Sequence, residues 1–352
     1  MTIPAHITTL VFDLGDTIFA MDPRNHGSVA DWPYLIPIPG LEPALAALRA
    51  RFKLVIASNA EDSGAEKMRI ALARAGLDKY FTEIFTAKEL GLRKPDPAFF
   101  RWIAGRLGAA PHELVMIGDS YAVDIPGARQ AGWKTVWYNP KCLGAPGPLP
   151  LEDVNLLDMA RLPQALERLD LPDALACQAW YLVQGSGGFL WQHVEMTGLV
   201  SYYLAIALRA AGQPADPVLA HRGGLLHDIA KISAKRTHTN HGDLGAAVLR
   251  ELGQPELAEI AQRHMLFYLG DPEKGPRSWE EKIVHFADKI CEGSQVVEWP
   301  ERLHGLAKRY PGSIEAMRAL TPAVEALQAE LAGAAGLPSA GLVAHLRQAI
   351  YQ

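Results

Sequence analysis

The chain has few cysteines and no long apolar run, and both absences restrict what it can be. Its three cysteines, Cys142, Cys177 and Cys291, are far apart in the 352 residues, which argues against a disulfide framework and a CxxC metal site. No segment approaches the roughly 18 consecutive apolar residues of a membrane span. The first residues also lack the charged segment, apolar run and cleavage site of a secretory signal. The sequence therefore predicts a cytoplasmic protein without membrane partners.

An excess of positive charge is also missing. The formal net charge is −5, which argues against a broad nucleic-acid-binding surface. A small phosphorylated substrate, such as a nucleotide or the end of an RNA, remains compatible with this balance. Because clustered carboxylates repel phosphate, such a substrate requires a divalent cation at the site. An oligomer is compatible with the sequence as well.

Short apolar runs alternate with helical-period stretches in the first part of the chain. Runs such as TLVF, KLVIAS, ELVMIG and KTVWY predict a parallel sheet built from βαβ units. After about residue 172 the strand signal disappears, and helical spacing interrupted by Gly and Pro predicts an all-α region. We therefore expect two domains, residues 1–172 and residues 173–352.

Polar residues close the apolar runs of the first domain, where ligands bind in parallel sheets. An aspartate can attack phosphorus, while a hydroxyl, an amide and a lysine hold the phosphoryl oxygens and further carboxylates hold Mg²⁺. The candidates for these roles are Asp13, Ser58, Asn59, Lys94, Asp119 and Asp124.

The stretches VFDLGDT, VIASNA, GLRKPDP and IGDSYAVDI, in this order, resemble the four motifs of the haloacid dehalogenase (HAD) superfamily. The resemblance covers about residues 8–172 and implies a Rossmann-like α/β fold. It implies Asp13 as nucleophile, Ser58 as phosphate-binding hydroxyl and Lys94 as charge stabiliser. The magnesium ligands it implies are Asp13, Asp119 and Asp124.

One position departs from this superfamily pattern. Its phosphatases usually carry a second aspartate two residues after the nucleophile as general acid and base, and this chain has Gly15 there, followed by Asp16. Because glycine cannot transfer a proton, the domain is either a phosphomonoesterase or a weakly active binding and regulatory module. We interpret Asp16 as a turn residue rather than a displaced acid. Residues 18–50 and 60–90 leave room for only a minimal cap.

Histidines concentrate in the second domain, which contains nine of the 12. Helices of a bundle can direct such residues toward a common centre. Imidazole and carboxylate together suit transition metals rather than calcium. The candidate ligands are His193, His227, Asp228, His241, His264 and Asp288.

The order H…HD…D, with GLLHDIAK and KIVHFADKI around it, resembles the HD superfamily of metal-dependent phosphohydrolases over about residues 185–300. The resemblance implies an all-α helical bundle that binds a divalent metal through His193, His227, Asp228 and Asp288. It assigns His241 and His264 to a second ion, as in members with two metals. We expect Mn²⁺, Fe²⁺, Co²⁺ or Ni²⁺ at these sites.

Three basic residues near this pattern have different expected roles. Lys231 lies one helical turn after His227 on the same face, and we expect it to contact the substrate phosphate and to assist catalysis. Arg263 and Lys289 are expected to be solvated charges.

Together the two domains predict a hydrolase of phosphoester or phosphoanhydride bonds, of the phosphodiesterase or nucleotidase type, that acts on a nucleotide or a nucleic-acid end. The first domain would then hydrolyse phosphomonoesters, acting in sequence with the second domain. Two alternatives stay open. In one, the first domain is a binding or regulatory module. In the other, the second domain is a di-iron oxygenase, an activity that the HD fold also supports.

Overall fold

The protein divides into two compact units in the computed structural model, which describes residues 3–147, 149–185 and 188–351. The first unit contains the chain up to Lys141 together with Leu151–Asp170. The second contains Cys142–Pro150 and the chain from Leu171 onward. The boundary expected at residue 172 lies next to this division. Residues 142–150, which the sequence placed in the first domain, instead group with the second unit by their contacts.

A six-stranded parallel sheet forms the centre of the first unit. Its order is β3-β2-β1-β4-β5-β6, and every neighbouring pair is parallel. The sheet therefore has the predicted Rossmann-like architecture. The strand order reverses between β1 and β4, which is the type of position where open α/β sheets bind ligands. The strands are β1 (Thr9–Phe12), β2 (Lys53–Ser58), β3 (Glu83–Thr86), β4 (Leu114–Gly118), β5 (Lys134–Tyr138) and β6 (Val154–Leu156).

Helices bury both faces of this sheet. Leu10 and Phe12 of β1 pack in one apolar cluster, and Val11 between them packs in another on the opposite face. Burial on both faces explains why the strands are continuous apolar runs without alternation. The helices are α1 (Leu41–Leu48), α2 (Ala65–Arg74), α3 (Ala87–Leu90), α4 (Pro97–Leu107), α5 (Tyr121–Gln130) and α6 (Leu162–Ala165).

The cap of the first unit is minimal, as the short segments between motifs predicted. In residues 14–40, all of which the structure describes, the only helical element is a 3₁₀ turn at Val29–Asp31. Helix α2 belongs to the sheet layer, because its Met68 and Leu72 are buried in the cluster that contains the strand side chains.

The second unit is helical apart from a two-stranded hairpin, β7 (Cys291–Glu292) and β8 (Gln295–Val296). Among the residues described, no helix has both the length and the apolar character required to cross a membrane. The helices are α7 (Ala174–Val183), α8 (Phe189–Ala210), α9 (Pro217–Leu226), α10 (Lys231–Thr237), α11 (His241–Glu251), α12 (Pro255–Arg263), α13 (Trp279–Lys289), α14 (Trp299–Arg309), α15 (Ile314–Ala319), α16 (Thr321–Ala334) and α17 (Leu342–Tyr351).

Close contact between α8 and α9 requires glycine in the GGLLHD stretch. A Cβ on Gly224 would lie 2.6 Å from the Cα of Gly198 on α8, and a Cβ on Gly223 would lie 2.9 Å from Ile260 on α12. Neither position has space for a larger side chain, so the two glycines allow α9 to pack directly on its neighbours. The end of α9, where His227 follows, is thereby fixed in the centre of the bundle.

Candidate active sites

A buried lysine joins two carboxylates at the carboxyl end of the sheet in the first unit. Asp13 directly follows β1, and Asp124 lies in the first turn of α5. Lys94 Nζ donates to Asp13 Oδ1 and to Asp124 Oδ1, each at 2.6 Å. Burial alone would lower the pKa of Lys94, but the carboxylates of Asp124 and Asp13 outweigh it and raise that pKa. The ammonium therefore stays charged beside the proposed nucleophile.

Three carboxylates converge next to this lysine. Asp13, Asp119 and Asp124 each offer an oxygen, and these atoms lie within 4.8 Å of one another. Burial, together with the nearby Asp13 and Asp16 carboxylates, raises the pKa of Asp119 to about 6. A divalent cation would relieve this repulsion between like charges, and an oxygen-only ligand set suits Mg²⁺. The residues present therefore fit the predicted magnesium.

Two side chains hold Asp119 in place. Thr17 Oγ1 donates to Asp119 Oδ1 at 3.3 Å and accepts a hydrogen bond from the Asp119 backbone N–H at 3.1 Å. Trp137 Nε1 donates to the Asp119 carbonyl oxygen at 2.8 Å. Neither residue was singled out from the sequence, because their contacts with Asp119 form only when β1, β4 and β5 become neighbours.

Ser58 and Asn59 lie at the end of β2, as predicted, but Asn59 has a structural task. Its Nδ2 donates to the Lys94 carbonyl oxygen and its Oδ1 accepts from the Lys94 backbone N–H, both at 2.8 Å. The amide thus holds the loop that carries Lys94, and a contact with substrate stays a prediction. Ser58 is buried, and its Oγ accepts from the Ala60 N–H at 3.2 Å.

Asp16 is a turn residue in the structure, in agreement with the favoured interpretation. It has a positive φ of 47°, and its Oδ1 accepts from the Met21 backbone N–H at 2.8 Å. The resulting turn places Met21 beside Gly15, where a Cβ would meet the Met21 Sδ at 3.3 Å. Any side chain at position 15, two residues after Asp13, would therefore contact the half-exposed side chain of Met21.

Six side chains of the second unit, all of them ligand candidates from the sequence, lie together around one centre. Five helices supply them or end beside them. They are His193 on α8, His227 and Asp228 after α9, His241 at the start of α11, His264 after α12 and Asp288 on α13.

Asp228 lies in the middle of this cluster. Its Oδ1 is 3.2 Å from His241 Nε2 and 3.5 Å from His264 Nε2. Its Oδ2 is 3.4 Å from His227 Nε2. The carboxylate therefore faces histidines on both sides, and would be shared between two ligand sets if each set held an ion.

The orientation of two histidines is fixed from behind. His227 Nδ1 is 2.7 Å from the Gly224 carbonyl oxygen, and His264 Nδ1 is 2.6 Å from that of Ala261. Donation from Nδ1 directs Nε2 toward the centre as a ligand atom. His227 Nε2 and Asp228 Oδ1 are buried without a hydrogen bond, a situation that requires an explanation. A divalent cation at the centre supplies one, so the residues present fit a metal site.

Asp288 is held by two cations. Lys289 Nζ donates to Asp288 Oδ2 at 2.5 Å and to the His264 carbonyl oxygen at 2.9 Å. Arg302 Nη2 on α14 donates to Asp288 Oδ1 at 3.3 Å, while its Nη1 donates to Glu292 Oε2 at 2.6 Å. The expectation that Lys289 is a solvated charge was wrong, because its side chain is buried against these oxygens.

The sequence contained a signal for Arg302 that was missed. Arg302 lies three residues after Trp299 and four before Leu306, so it is on the apolar face of α14. A charged residue on such a face is buried and needs a partner. Arg263, by contrast, hydrogen-bonds the carbonyl oxygens of Glu273 and Gly275 and does not reach the centre.

Lys231 contacts the centre by a different route from the one expected. Helix α9 ends at Leu226 and α10 begins at Lys231, so Lys231 and His227 do not share one regular helix. Lys231 Nζ nevertheless donates to Asp228 Oδ2 at 2.5 Å. It also lines a cavity of about 370 Å³ that contains Asp228 and Asp288 in its wall.

Replacing Arg302 should weaken metal binding by the second unit. We predict that Arg302→Gln lowers the affinity for Mn²⁺ by roughly 10- to 100-fold, the usual cost of losing a group that orients a metal ligand. Calorimetric titration measures this change. The matched control is Arg318→Gln, which removes an exposed ion pair with Glu315 on α15. Equal affinities of the two variants would contradict a role for Arg302 in orienting Asp288.

Family models match two separate parts of the chain, one in each unit. Residues 5–132 match the haloacid dehalogenase-like hydrolase family, and residues 190–292 match the HD domain family. The chain thus contains a haloacid dehalogenase-like hydrolase domain followed by an HD domain, as the sequence motifs predicted. The prediction of a hydrolase is confirmed by these matches.

The curated relatives are each similar to a part of this chain. An uncharacterized protein of Methanocaldococcus jannaschii is 39% identical over 130 residues, which are 34% of this chain and 75% of that protein. Glyceraldehyde 3-phosphate phosphatase of Methanopyrus kandleri is 42% identical over 105 residues, 29% of this chain and 43% of that enzyme. Thus the chain spans less than half of the second relative.

One solved structure that resembles this chain matches less than half of it. An uncharacterized protein from Listeria monocytogenes serotype 4b has 27% sequence identity and a TM-score of 0.42. The match covers 46% of this chain and 98% of that protein.

Proposed function

We propose that the second unit hydrolyses phosphoester or phosphoanhydride bonds of a nucleotide or nucleic-acid end. The observation that carries this proposal is the charge of the cavity at the metal-ligand cluster. Four cationic side chains line it, Lys231, Lys235, Lys289 and Arg302, together with the carboxylates of Asp228 and Asp288, which pair with three of them. Divalent ions held by these carboxylates would leave the lining positive. A substrate with several phosphate charges balances such a lining, whereas activation of O₂ does not need it.

The proposed ligands fall into two sets that share Asp228. His193, His227, Asp228 and Asp288 would hold one ion, and His241 and His264 would hold a second beside Asp228. We propose Mn²⁺, Fe²⁺, Co²⁺ or Ni²⁺, which suit these donors. Such ions acidify water and polarise phosphoryl oxygens. Lys231, next to Asp228, binds a phosphoryl oxygen of the substrate.

For the first unit we propose a Mg²⁺-dependent phosphomonoesterase. Asp13 attacks phosphorus, the new aspartyl–phosphate bond replaces the bond to the leaving alcohol, and water then releases phosphate. Lys94 balances the charge on Asp13, and Ser58 contacts the phosphoryl oxygens. Asp13, Asp119 and Asp124 would hold the cation. The names of relatives such as the Methanopyrus phosphatase and a pyrimidine 5'-nucleotidase of Streptococcus pneumoniae support this reaction class.

The two proposed activities fit a sequence of reactions. Hydrolysis of a diester or anhydride by the second unit leaves a phosphomonoester, which is the substrate class of the first. Gly15 favours a second candidate for the first unit, a binding and regulatory module, because no side chain there supplies a proton to the leaving group.

A panel assay of the full chain tests the proposed function. Nucleoside polyphosphates, phosphodiesters and phosphomonoesters are each supplied with Mn²⁺, Fe²⁺, Co²⁺, Ni²⁺ or Mg²⁺. We expect hydrolysis of the first two classes with a transition metal and of phosphomonoesters with Mg²⁺. Protein that binds a transition metal but cleaves neither of the first two classes would contradict the proposal for the second unit.

Adding an acid beside Asp13 should raise the phosphomonoesterase activity. We predict that Gly15→Asp increases Mg²⁺-dependent hydrolysis of an alkyl phosphomonoester by roughly 10²-fold, the lower end of a general acid–base contribution. Met21, which is half exposed, can move aside for the new side chain. Gly15→Ala is the control, since it adds the same Cβ without a proton donor. Equal rates for the two variants would show that proton supply does not limit this unit.

A further inference from the structure

We propose that Phe267 and Tyr310 form a nucleobase-binding subsite at the mouth of the cavity in the second unit. This inference rests on the proposed phosphohydrolase function of that unit and extends it. It assigns a binding site to the base, the part of a nucleotide that the metal ligands and lysines do not contact.

The first argument is the position of the two rings. Phe267 and Tyr310 line the same cavity as Asp228 and Asp288, yet half of each side chain is exposed, 50% for Phe267 and 47% for Tyr310. Large aromatic surfaces next to charged groups at a cavity mouth mark ligand sites. Apart from histidines, no other aromatic side chain among the described residues lines this cavity.

The second argument is that the rings are attached to packed elements. Phe267 lies in a 3₁₀ turn that begins at Leu266, and Tyr310 directly follows α14. Leu266 and Trp299 are buried in one apolar cluster with Met317. The backbone that carries each ring is therefore anchored, which limits the entropy lost when a flat ligand binds.

The third argument is that the rings and the phosphate-binding group share one cavity. Tyr310 and Phe267 line the same cavity as Lys231, the lysine that we assign to a phosphoryl oxygen. A nucleotide places its base and its phosphates at the two ends of one small molecule. The cavity of about 370 Å³ has the size of a small-molecule site.

The proposed interaction is stacking or edge contact of the base with these rings. Aromatic stacking tolerates every base because each has a π face. The subsite should therefore distinguish substrates with a base from those without one, and should not select strongly among bases.

The test compares two substrates that share phosphates and differ in the base. Steady-state KM is measured with Mn²⁺ for ATP and for inorganic tripolyphosphate, in the full chain carrying Asp13→Asn so that only the second unit acts. Phe267→Leu and Tyr310→Leu should each raise KM for ATP by roughly 5- to 100-fold and leave KM for tripolyphosphate within about twofold. Phe189→Leu is the control, because Phe189 is an exposed phenylalanine on α8 outside the cavity.

Two results would overturn the subsite. One is a KM for ATP in both variants equal to that of the control. The other is an equal rise in KM for ATP and for tripolyphosphate, which would mean that the rings support only the fold. If the parent protein hydrolyses neither substrate, the panel assay decides the proposed function, and calorimetric binding of AMP and of inorganic phosphate tests the subsite by itself. Loss of AMP binding in the two variants, with phosphate binding kept, supports it, and unchanged AMP binding overturns it.

Discussion

Asp228→Ala should remove both the bound transition metal and the hydrolytic activity of the second unit. Asp228 lies within 3.5 Å of the ligand nitrogens of His227, His241 and His264, so its loss affects both proposed ion positions. It also leaves the half-buried Lys231 ammonium without its carboxylate. We expect turnover to fall by about 10³-fold or more, as for other groups that act as a catalytic unit. Elemental analysis and the rate of nucleotide hydrolysis measure the two losses.

Three further variants make this prediction specific. His227→Ala combined with Asp228→Ala should cost little more than either change alone, because coupled residues are not additive. Lys231→Ala should keep the metal and mainly raise KM. Asp243→Ala removes an exposed aspartate of α11 and should leave both readouts unchanged. Full turnover in folded Asp228→Ala protein would show that the cluster is not the hydrolytic site.

Asp13→Asn should abolish Mg²⁺-dependent phosphomonoesterase activity and leave the second unit unaffected. An amide is a poor nucleophile and carries no charge, although Lys94 keeps its ion pair with Asp124 and the fold should persist. We expect a loss of about 10³-fold or more for a nucleophile, measured as phosphate release from a phosphomonoester.

The control for this variant is Asp16→Asn. Asp16 is exposed and acts in the turn toward Met21, so its amide should retain most of the activity. If Asp16→Asn is as inactive as Asp13→Asn, then Asp16 has a chemical role that its turn geometry does not explain. If the native chain has no phosphomonoesterase activity on a wide panel, the first unit is a binding or regulatory module.

The strands and their closing residues could be predicted because the signal is local. Each strand of a doubly covered parallel sheet is a short apolar run, and the chemistry-bearing residue follows it, as Asp13 follows β1 and Asp119 follows β4. The histidines of the second unit could be predicted for the same reason, because each lies within or at the end of a helical segment that the sequence indicates. These residues were found because sequence position alone brings each to the end or the inner face of its element.

The supporting contacts could not be predicted, since they depend on tertiary packing. Asn59 is hydrogen-bonded to the backbone of Lys94, 35 residues away, and no local pattern records that pairing. Arg302 approaches Asp288 only because α14 packs beside the end of α13. The break between α9 and α10 was also missed, because the apolar spacing of GGLLHDIAKI continues through it.

The central claim is that the metal-ligand cluster of the second unit directs water to phosphorus. The most direct test is hydrolysis of a nucleoside polyphosphate in H₂¹⁸O by the Asp13→Asn protein with Mn²⁺ or Fe²⁺, with and without air. The account predicts one solvent oxygen in a product phosphate, equal rates with and without O₂, and no product when Asp228→Ala is added. A product that forms only with consumption of O₂, or phosphate products without ¹⁸O, would contradict it and favour the di-iron oxygenase.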